Sequence, residues 1–469
     1  MNFARFAERI DGLQYMADKM ELSGSRVRRY LMQSNFCSNG DVLNSDFDIL
    51  QKALDILSDP DAMSGVMQLR HLFAQVHDIQ GTLHALSQRH TLDEVELFEI
   101  KYFATLCSDF RNVCTLIGFP YENPEDLPQV RELLDPHGTG TVSFQLYDCY
   151  SQSLSQARAL ARSTDPEKEP ETWNTVQDTI QKEELAVREM LSQKLNTSYQ
   201  VLRDNFDRMA RIEIWFAKAD LAVRYEMVRP DIVTGSADDQ LHIEGMINPQ
   251  IADILGTVNK TFQPVSITLT SGPCLLTGAN MSGKTVVLKT LALIQTLAQF
   301  SFFVPARRAS IPLVKDVFLV IGDKQDQYRG LSSFAAEMLQ LDRIMAVIRK
   351  GTRLLLLVDE PARTTNPVEG AAILCALVDF LERYRTMSLV STHYGDLGLS
   401  CRKLRVSGFD TAKVKGRLDP LMMNDYMDYS LTEDKDGSVP MEALPIARLL
   451  GVDDSFIGSA QKYVKRTIK

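Results

Sequence analysis

The sequence lacks the marks of a secreted, membrane-spanning or uniformly basic protein. Its seven cysteines are scattered over 469 residues without a C-x-x-C pair, which is typical of reduced thiols rather than of disulfides or a zinc site. No apolar run approaches the length of about 18 residues that a membrane span needs, and residues 1–9 are charged, without an apolar signal core. The net charge of −10 argues against a generally basic nucleic-acid coat, although a local basic face is compatible with it. We therefore expect a cytoplasmic protein without a membrane segment.

The composition that remains is that of an ordinary folded protein. Hydrophobic residues make up 45% and charged residues 24% of the chain, as in soluble globular domains. A chain of this length is expected to form about two to four domains with a large core.

The first quarter of the chain is predicted to be helical. Apolar residues recur at 3-4-3 spacing over residues 3–13 and 47–57, which is the period of a helix face. Residues 91–94, Thr-Leu-Asp-Glu, predict a capping box that opens a further helix. Four histidines between residues 71 and 90 have spacings that suit solvent exposure better than a metal site. We predict a helical core domain over residues 1–116.

A connector and a long helical segment follow, over residues 117–234. Prolines and glycines interrupt residues 116–150, whereas residues 171–228 contain neither. As one continuous helix, the latter stretch would extend about 85 Å. A 4-3-4-3 apolar seam over residues 195–209 favours a coiled-coil-like lever in a helical hairpin. Ordinary packing in a helical bundle would use the same seam.

From residue 235 the pattern changes to apolar strands alternating with helices, which predicts an α/β domain over residues 235–437. Residues 277–285 read T-G-A-N-M-S-G-K-T, between an apolar strand and a helical pattern. This form is typical of a phosphate-binding loop, because its glycines let backbone N–H groups surround phosphate oxygens. Lys284 would add a charge for the β/γ-phosphates and Thr285 a hydroxyl for Mg²⁺; the alternative is a glycine turn with a surface lysine. The predicted nucleotide-binding residues are Gly278, Ala279, Asn280, Met281, Ser282, Gly283, Lys284 and Thr285.

A second apolar strand carries two carboxylates. Residues 354–358 read L-L-L-L-V and are followed by Asp359 and Glu360, which is the Walker B arrangement. Asp359 is predicted to bind Mg²⁺ and Glu360 to orient or deprotonate the attacking water. The alternative is an acidic surface pair after a strand.

Two further residues complete the predicted catalytic set. His393 ends the apolar stretch 388–393, where it could sense the γ-phosphate, and Ser332 lies in the segment 329–337 before a helix. The order of Lys284, Ser332, Asp359-Glu360 and His393 is that of the ABC-type ATPases, in which two subunits sandwich two nucleotides. In that class the signature serine contacts the nucleotide held by the partner subunit.

Residues 262–396 resemble the ATPase domain of the MutS family. The family loop T-G-x-N-M-G-G-K-S, the signature G-R-S-T-F-x-x-E and the F-V-P-A segment have counterparts at residues 277–285, 330–337 and 303–306. Arg363 and the T-H-Y run at 392–394 match as well. The resemblance implies a multidomain chain, with an all-α core and lever region followed by an α/β P-loop ATPase domain of ABC type. It also implies Mg²⁺-dependent ATP hydrolysis.

The resemblance extends to particular residues and to assembly. Phe262 falls where the family stacks an aromatic ring on adenine, and residues 438–469 resemble the C-terminal helix-turn-helix that helps the family dimerise. A homodimer with composite ATP sites is therefore expected. Residues 361–367 read P-A-R-T-T-N-P and depart from the usual I-G-R-G-T-S, so that coupling between subunits is expected to differ. The segment before the helical core is expected to be too short for a mismatch-reading domain.

The target of the ATPase cycle has two candidates. The first is DNA, in a mismatch-repair or recombination-type role, as the resemblance implies. The tip of the predicted hairpin, residues 165–184, has two lysines among seven acidic residues, which is a poor surface for binding phosphates. The second is a protein client, such as an adenosylcobalamin-dependent aminomutase that the ATPase would reactivate. A scaffold without hydrolysis is disfavoured by the intact Lys284, Asp359 and Glu360.

Overall fold

The computed structural model describes residues 1–141, 143–234, 240–279, 282–322, 333–395, 397–410, 425–434 and 443–467. Its contacts divide the chain into two compact units. One unit comprises Met1–Met20, Met32–Asp48 and Leu221–Lys469, and the other Glu21–Leu31 and Ile49–Asp220. The four domains expected from the sequence remain a prediction, because this division follows other boundaries.

Up to residue 224, the described chain is helical. Its helices are α1 (Phe3–Ala7), α2 (Asp11–Lys19), α3 (Ser25–Gln33), α4 (Gly40–Ser58), α5 (Met63–Gln75), α6 (Gln80–Ser87), α7 (Glu94–Leu116), α8 (Pro128–Leu134), α9 (Gln152–Ser163), α10 (Pro170–Asn196) and α11 (Tyr199–Arg224), with short 3₁₀ helices at Pro60–Ala62 and Asp148–Tyr150. None of the helices in the described residues is long and apolar enough to cross a membrane.

The capping box of α7 lies two residues beyond its predicted place. Asp93 Oδ1 accepts the Glu96 N–H at 2.8 Å, and Glu96 Oε2 accepts the Asp93 N–H at 2.9 Å. Leu92 is fully buried and donates its N–H to Ser192 Oγ, so its backbone is already engaged outside the helix. The prediction of Thr91 as the cap is therefore wrong, and the first residue with a free carboxylate takes that place.

The long helical stretch is interrupted at Thr197–Ser198, between α10 and α11. The Thr197 hydroxyl donates to Lys194 O at 2.7 Å, and the Ser198 N–H donates to Leu195 O. Such i→i−3 bonds tighten the last turn of a helix and end it. The hairpin that does form pairs α9 with α10, around the turn at 164–169.

The unit that includes Leu221–Lys469, here called the α/β unit, contains two sheets; the other unit is called the helical unit. The remaining elements are β1 (Asp231–Val233), β2 (Leu241–Met246), α12 (Pro249–Thr257), β3 (Val265–Leu269), β4 (Pro273–Thr277), α13 (Lys284–Gln299), β5 (Arg308–Pro312), β6 (Asp316–Ile321), α14 (Ser333–Arg349), β7 (Leu354–Asp359), α15 (Pro367–Arg383), β8 (Ser388–Ser391), β9 (Arg402–Phe409), β10 (Met427–Glu433), α16 (Ala443–Leu449) and α17 (Asp454–Thr467). The sheets have the strand orders β1-β5-β2-β3 and β10-β9-β4-β8-β7-β6.

The six-stranded sheet is parallel except at β10, which pairs antiparallel with β9. Strands β4 and β7 are buried over nearly their whole length, as expected for a parallel sheet covered on both faces. Helices α14 and α15 pack on it through a core that includes Leu341, Ile344 and Leu374. The mixed helical and α/β architecture thus agrees with the class that the sequence predicts.

Residues 1–20 and 32–48 belong to the α/β unit. The ring of Phe3 lies 4.9 Å from that of Phe300, and Gln299 Nε2 donates to Cys37 O at 2.7 Å. The sequence periodicity grouped these residues with the helical core. Periodicity shows that a helix has an apolar face, but it does not show which surface covers that face.

Candidate active site

Three parallel strands bring the candidate site together at one edge of the sheet. Strand β8 lies between β4 and β7, and Ser391 is in register with Leu276 on one side and with Asp359 on the other. Because parallel strands share a direction, their carboxyl ends meet at the same edge. The loop after β4 and the two carboxylates after β7 therefore become neighbours.

The loop between β4 and α13 is shaped by two glycines. Gly278 has φ +153° and Gly283 has φ +85°, and Gly283 directly precedes α13. A Cβ on Gly278 would lie 2.8 Å from Ser282 Oγ, so a side chain there would distort the loop. Ser282 Oγ is buried and has no hydrogen-bond partner. Ser282 lies two residues before α13, whose first backbone N–H groups lack helical partners. The predicted residues Asn280 and Met281 lie outside the described part of the chain.

Lys284 is almost fully buried. Its ammonium donates to Gly278 O at 2.8 Å and to Ala279 O at 3.0 Å, and it lies 3.4 Å from Glu360 Oε1. Only 5% of its side chain is exposed. A buried ammonium needs such partners, and here they all lie on the loop or on the Walker B glutamate.

Thr285 and Ser391 hold the two oxygens of Asp359. Thr285 Oγ1 donates to Oδ2 at 2.6 Å, and Ser391 Oγ donates to Oδ1 at 2.5 Å. A hydroxyl next to a carboxylate is a hard oxygen donor set of the kind that Mg²⁺ accepts together with phosphate oxygens. Within the described residues, no group of three or more His, Cys, Asp and Glu side chains could hold a metal by itself.

Glu360 is held in a strained backbone conformation. Its φ is +46°, which is unusual outside glycine and is found where the surroundings fix a functional residue. The Glu360 N–H faces Ser391 O at 3.2 Å and Ser391 Oγ at 3.0 Å. Its carboxylate lies between the Lys284 ammonium and Arg363, whose Nη1 is 3.3 Å away.

The segment after Glu360 is tied to α14. Ala362 has φ +58° and donates its N–H to Glu337 Oε1 at 3.1 Å. Burial raises the pKa of the Glu337 carboxyl, although the Ala362 N–H opposes that shift. Helix α14, which begins within the signature segment 330–337, is thereby joined to the loop that carries the two carboxylates.

Of the two remaining predicted catalytic residues, His393 lies in the described part of the chain. His393 follows β8 by two residues, and its ring lies 4.3 Å from that of Tyr394. Ser332 lies outside the described residues.

A cavity of about 700 Å³ opens beside the loop, between α12, the segment 258–263, the start of α13 and β10. Phe262 and Tyr429 both line it. A Cβ on Gly283 would lie 3.0 Å from the Tyr429 ring, so the absence of a side chain there lets the ring approach the loop. Burial, aided by the Asp425 carboxylate, raises the pKa of the Tyr429 hydroxyl, which stays neutral at physiological pH.

Sequence reasoning missed Ser391 and Tyr429. Ser391 ends an apolar strand, and a hydroxyl at the carboxyl end of that strand is the feature by which the sequence could have indicated it. Tyr429 lies on the edge strand β10, about 145 residues after the loop that it contacts. No local sequence pattern indicates a contact between segments so far apart in the chain.

Comparison with known proteins supports a relationship over part of the chain. The family model described as MutS domain V matches residues 274–467. The DNA mismatch repair protein MutS of Roseiflexus sp. (strain RS-1) is 37% identical over 195 residues, which are 40% of this chain and 17% of that protein. The endonuclease MutS2 of Caldanaerobacter subterraneus subsp. tengcongensis is 28% identical over 277 residues, 58% of this chain and 33% of that protein.

The MutS of Thermus aquaticus is 31% identical over 247 residues, 52% of this chain and 29% of that protein. The chain thus spans one third or less of the length of each of these relatives. The family model falls on the unit that carries the candidate site. Relatives of two kinds, MutS and MutS2, match parts of the chain. Residues 274–467 therefore belong to a domain of the MutS family.

Proposed function

We propose that the protein is a Mg²⁺-dependent ATP hydrolase. The observation that carries the proposal is the meeting of Lys284, the Thr285–Asp359 pair and Glu360 at one sheet edge, beside a cavity large enough for a nucleoside. The ammonium, the hard oxygen pair and the carboxylate base are the parts that phosphoryl transfer needs, since its catalysis is mainly positioning and charge stabilisation.

Each group has one role in the proposed site. The loop from Gly278 to Gly283 and the Lys284 ammonium would hold the phosphates, and the lysine would exchange its contacts with two loop carbonyls for phosphate oxygens. Thr285 and Asp359 would hold Mg²⁺, which when bound neutralises charge on the phosphates. Glu360 would take a proton from the attacking water, and His393 would sense the γ-phosphate.

The cavity beside the loop suits the nucleoside. Its volume of about 700 Å³ lies within the usual range for small-molecule sites, about 300–1,000 Å³. Phe262 and Tyr429 are both partly exposed on its walls. Aromatic rings in such a position can stack on a base, and this supports an adenine contact for Phe262, with Tyr429 as a second candidate.

Replacing Glu360 tests the proposed chemistry. In Glu360→Gln the carboxylate that would accept the proton is lost, whereas the shape of the side chain is kept. We expect phosphate release to fall by about 10²–10³-fold with ATP binding retained. Glu369→Gln, an exposed position on α15, is the matched control and should hydrolyse ATP as the wild type does. Equal activity in the two variants would contradict the proposal.

We further propose a homodimer with composite ATP sites. Ser332 would contact the nucleotide bound by the partner subunit, as the ABC-type order of motifs implies. The helices α16 and α17 would contribute to dimerisation, in the manner of the family's C-terminal helix-turn-helix.

DNA is the target that the relatives favour. They are named a DNA mismatch repair protein and an endonuclease, and we propose a role in repair or recombination. Steady-state ATPase rates with perfect, mismatched and branched duplexes, at low and moderate salt, test this role. We expect a several-fold change that salt weakens and that is lost in Glu360→Gln. An unchanged rate, with no nucleotide-dependent retention of DNA, would refute it.

One structural observation weakens the case for DNA and so keeps open a second candidate, a protein client such as an adenosylcobalamin-dependent aminomutase. Residues 158–189 of the α9–α10 hairpin carry five basic and eight acidic side chains. Arg158 contacts Asp148 and Glu184 at 2.8 Å each, and Lys168 lies 3.1 Å from its own neighbour Asp165. Cations already engaged in this way bind DNA phosphates poorly, so failure of the DNA test would direct the search to protein partners.

A further inference from the structure

We propose that Gln263 is a positioning residue that joins two walls of the cavity and so preforms the site of the nucleotide base. The inference rests on the proposed function, because it assumes that the cavity binds a nucleoside. It assigns this role to a side chain outside the phosphate-binding loop and the Walker B strand.

Both ends of the Gln263 amide are used. Its Oε1 accepts the Tyr429 N–H at 3.1 Å, and its Nε2 donates to Asp428 Oδ1 at 2.8 Å. Gln263 directly follows Phe262, whereas Asp428 and Tyr429 lie on β10. One side chain therefore links the two segments that carry the aromatic rings of the cavity. We call this pair of hydrogen bonds the Gln263 clip.

Two further contacts hold the clip in place. Asp428 Oδ1 also accepts the Ser430 N–H at 2.9 Å, which fixes the carboxylate that Gln263 meets. Lys260 Nζ lies 3.1 Å from Asp425 Oδ1, so that the same two segments are joined a second time. The segment 260–263 is thus connected to residues 425–429 on both sides of Phe262.

The apolar side chains that line the cavity beside the clip are only partly buried. Phe262, Met427 and Tyr429 are only partly buried, and Val258 on the same cavity is 60% exposed. Because these side chains are not enclosed in an apolar core, the polar links contribute to the spacing between the rings. A binding site that is set before the ligand arrives binds more tightly, because less ordering remains to be done.

The clip lies apart from the groups proposed to hold phosphate. Lys284 is tied to Gly278, Ala279 and Glu360, and Thr285 to Asp359. Loss of the clip should therefore weaken binding of the base and leave binding of the phosphates intact. This difference separates a positioning role from general support of the fold.

Calorimetric titration of the full chain with ADP and with tripolyphosphate, each with Mg²⁺, tests the inference. For Gln263→Ala we expect the Kd for ADP to rise about tenfold, equivalent to about 1.4 kcal/mol, and the Kd for tripolyphosphate to stay within about twofold. The KM for ATP should rise in parallel, with kcat within about twofold. Gln200→Ala, which removes a similar Gln–Asp bond at 2.9 Å in the helical unit, is the matched control.

Variants of unchanged side-chain size separate the loss of the clip from a change in volume. Gln263→Glu places a carboxylate against Asp428 and should weaken ADP binding as much as Gln263→Ala does. Asp428→Asn keeps an amide oxygen that can accept from both Gln263 Nε2 and the Ser430 N–H, and its Kd for ADP should stay within about threefold of the wild type.

Each outcome decides the matter. If the wild type binds tripolyphosphate and ADP equally or binds neither, the proposed function fails at this cavity. If the wild type prefers ADP and Gln263→Ala does so equally, the inference alone is overturned. Parallel weakening of the binding of both ligands, or failure of Gln263→Ala and Gln263→Glu to fold, would show a purely structural role and also overturn it.

Discussion

Ser391 connects the Asp359 carboxylate to the Glu360 backbone through a single hydroxyl. The hydroxyl donates to Asp359 Oδ1 and accepts the N–H of Glu360, a residue whose φ is positive. Removing the hydroxyl leaves one oxygen of Asp359 without its donor and loosens the turn at Glu360. Since such bonds to charged groups are worth about 1.5–3 kcal/mol, we expect Ser391→Ala to lower kcat by at least about tenfold. Affinity for ADP should change by less than about threefold.

The same strand offers a matched control for this prediction. Ser388 is also buried, and its hydroxyl donates to Thr386 O at 3.1 Å, away from the carboxylates. Ser388→Ala should therefore alter stability without a comparable loss of kcat. Steady-state phosphate release and ADP titration of the two variants give the comparison. Equal losses of kcat would show that Ser391 acts only through packing of β8.

The sequence pattern identified the site residues that directly follow a recognisable loop or strand in the chain. Lys284, Asp359 and Glu360 were predicted because a glycine-rich loop and an apolar strand immediately precede them. Ser391 and Tyr429 act through partners on other strands, and only the pairing of strands brings them to the site. A sequence without its sheet order does not contain that information.

Helices α2 and α12 are joined by a cluster of hydroxyls on one carboxylate. Tyr15 and Tyr225 both donate to Asp253 Oδ2, and Lys19 lies 3.5 Å from the same oxygen. Burial by itself would raise the pKa of Asp253, but these donors outweigh it and hold the pKa below its usual value of 3.8. Helix α12 also lines the base cavity, so the cluster stabilises one of its walls.

The sign of the pH dependence follows from that lowered pKa. A carboxyl whose pKa is lower in the folded state contributes stability above its unfolded pKa and loses it as the pH falls through the folded pKa. We expect Asp253→Asn to cost about 1 kcal/mol at pH 5–8, a modest figure because 41% of the carboxylate side chain is exposed. The difference should narrow below pH 3.8. Burial raises the pKa of Tyr15 to about 12, so its titration begins only at high pH.

Denaturant unfolding at several pH values checks this prediction. Asp18→Asn removes a charge from the same helix, α2, at an exposed position where Gln14 can still bond. It should leave stability unchanged within about 0.5 kcal/mol. A difference between wild type and Asp253→Asn that narrows on the alkaline side instead would contradict the assignment.

At the level of elements, the sequence identified strands better than helix ends. The continuous apolar run 354–358 gave β7 at nearly its observed bounds, and an apolar strand was also predicted before residue 277, where β4 lies, because buried parallel strands need such runs. The break at Thr197–Ser198 was not found, since neither glycine nor proline marks it and hydroxyl and backbone bonds to the preceding turn produce it. Helix ends depend on such single bonds, whereas strands depend on many residues together.

At the scale of the whole molecule, α17 presents exposed aromatic side chains. Ile457 on α17 is fully buried, whereas Phe456 is 66% and Tyr463 68% exposed. Phe456 and Tyr463 are seven residues apart and so lie on one helix face. Large aromatic side chains on one face of a helix favour burial against a partner, and the proposed homodimer supplies one.

Substitution of both residues tests whether this surface joins two copies of the chain. We expect Phe456→Ser with Tyr463→Ser to shift the sedimenting mass from dimer to monomer at micromolar concentration. The ATPase rate per chain should fall about tenfold and recover as protein concentration rises, because composite sites need two subunits. Met67→Ser with Leu116→Ser removes side chains that are 67% and 71% exposed in the helical unit, and it should remain dimeric. Dissociation in that control alone would place the interface on the helical unit instead, whereas an unchanged mass in both variants would show that neither apolar surface holds a dimer together.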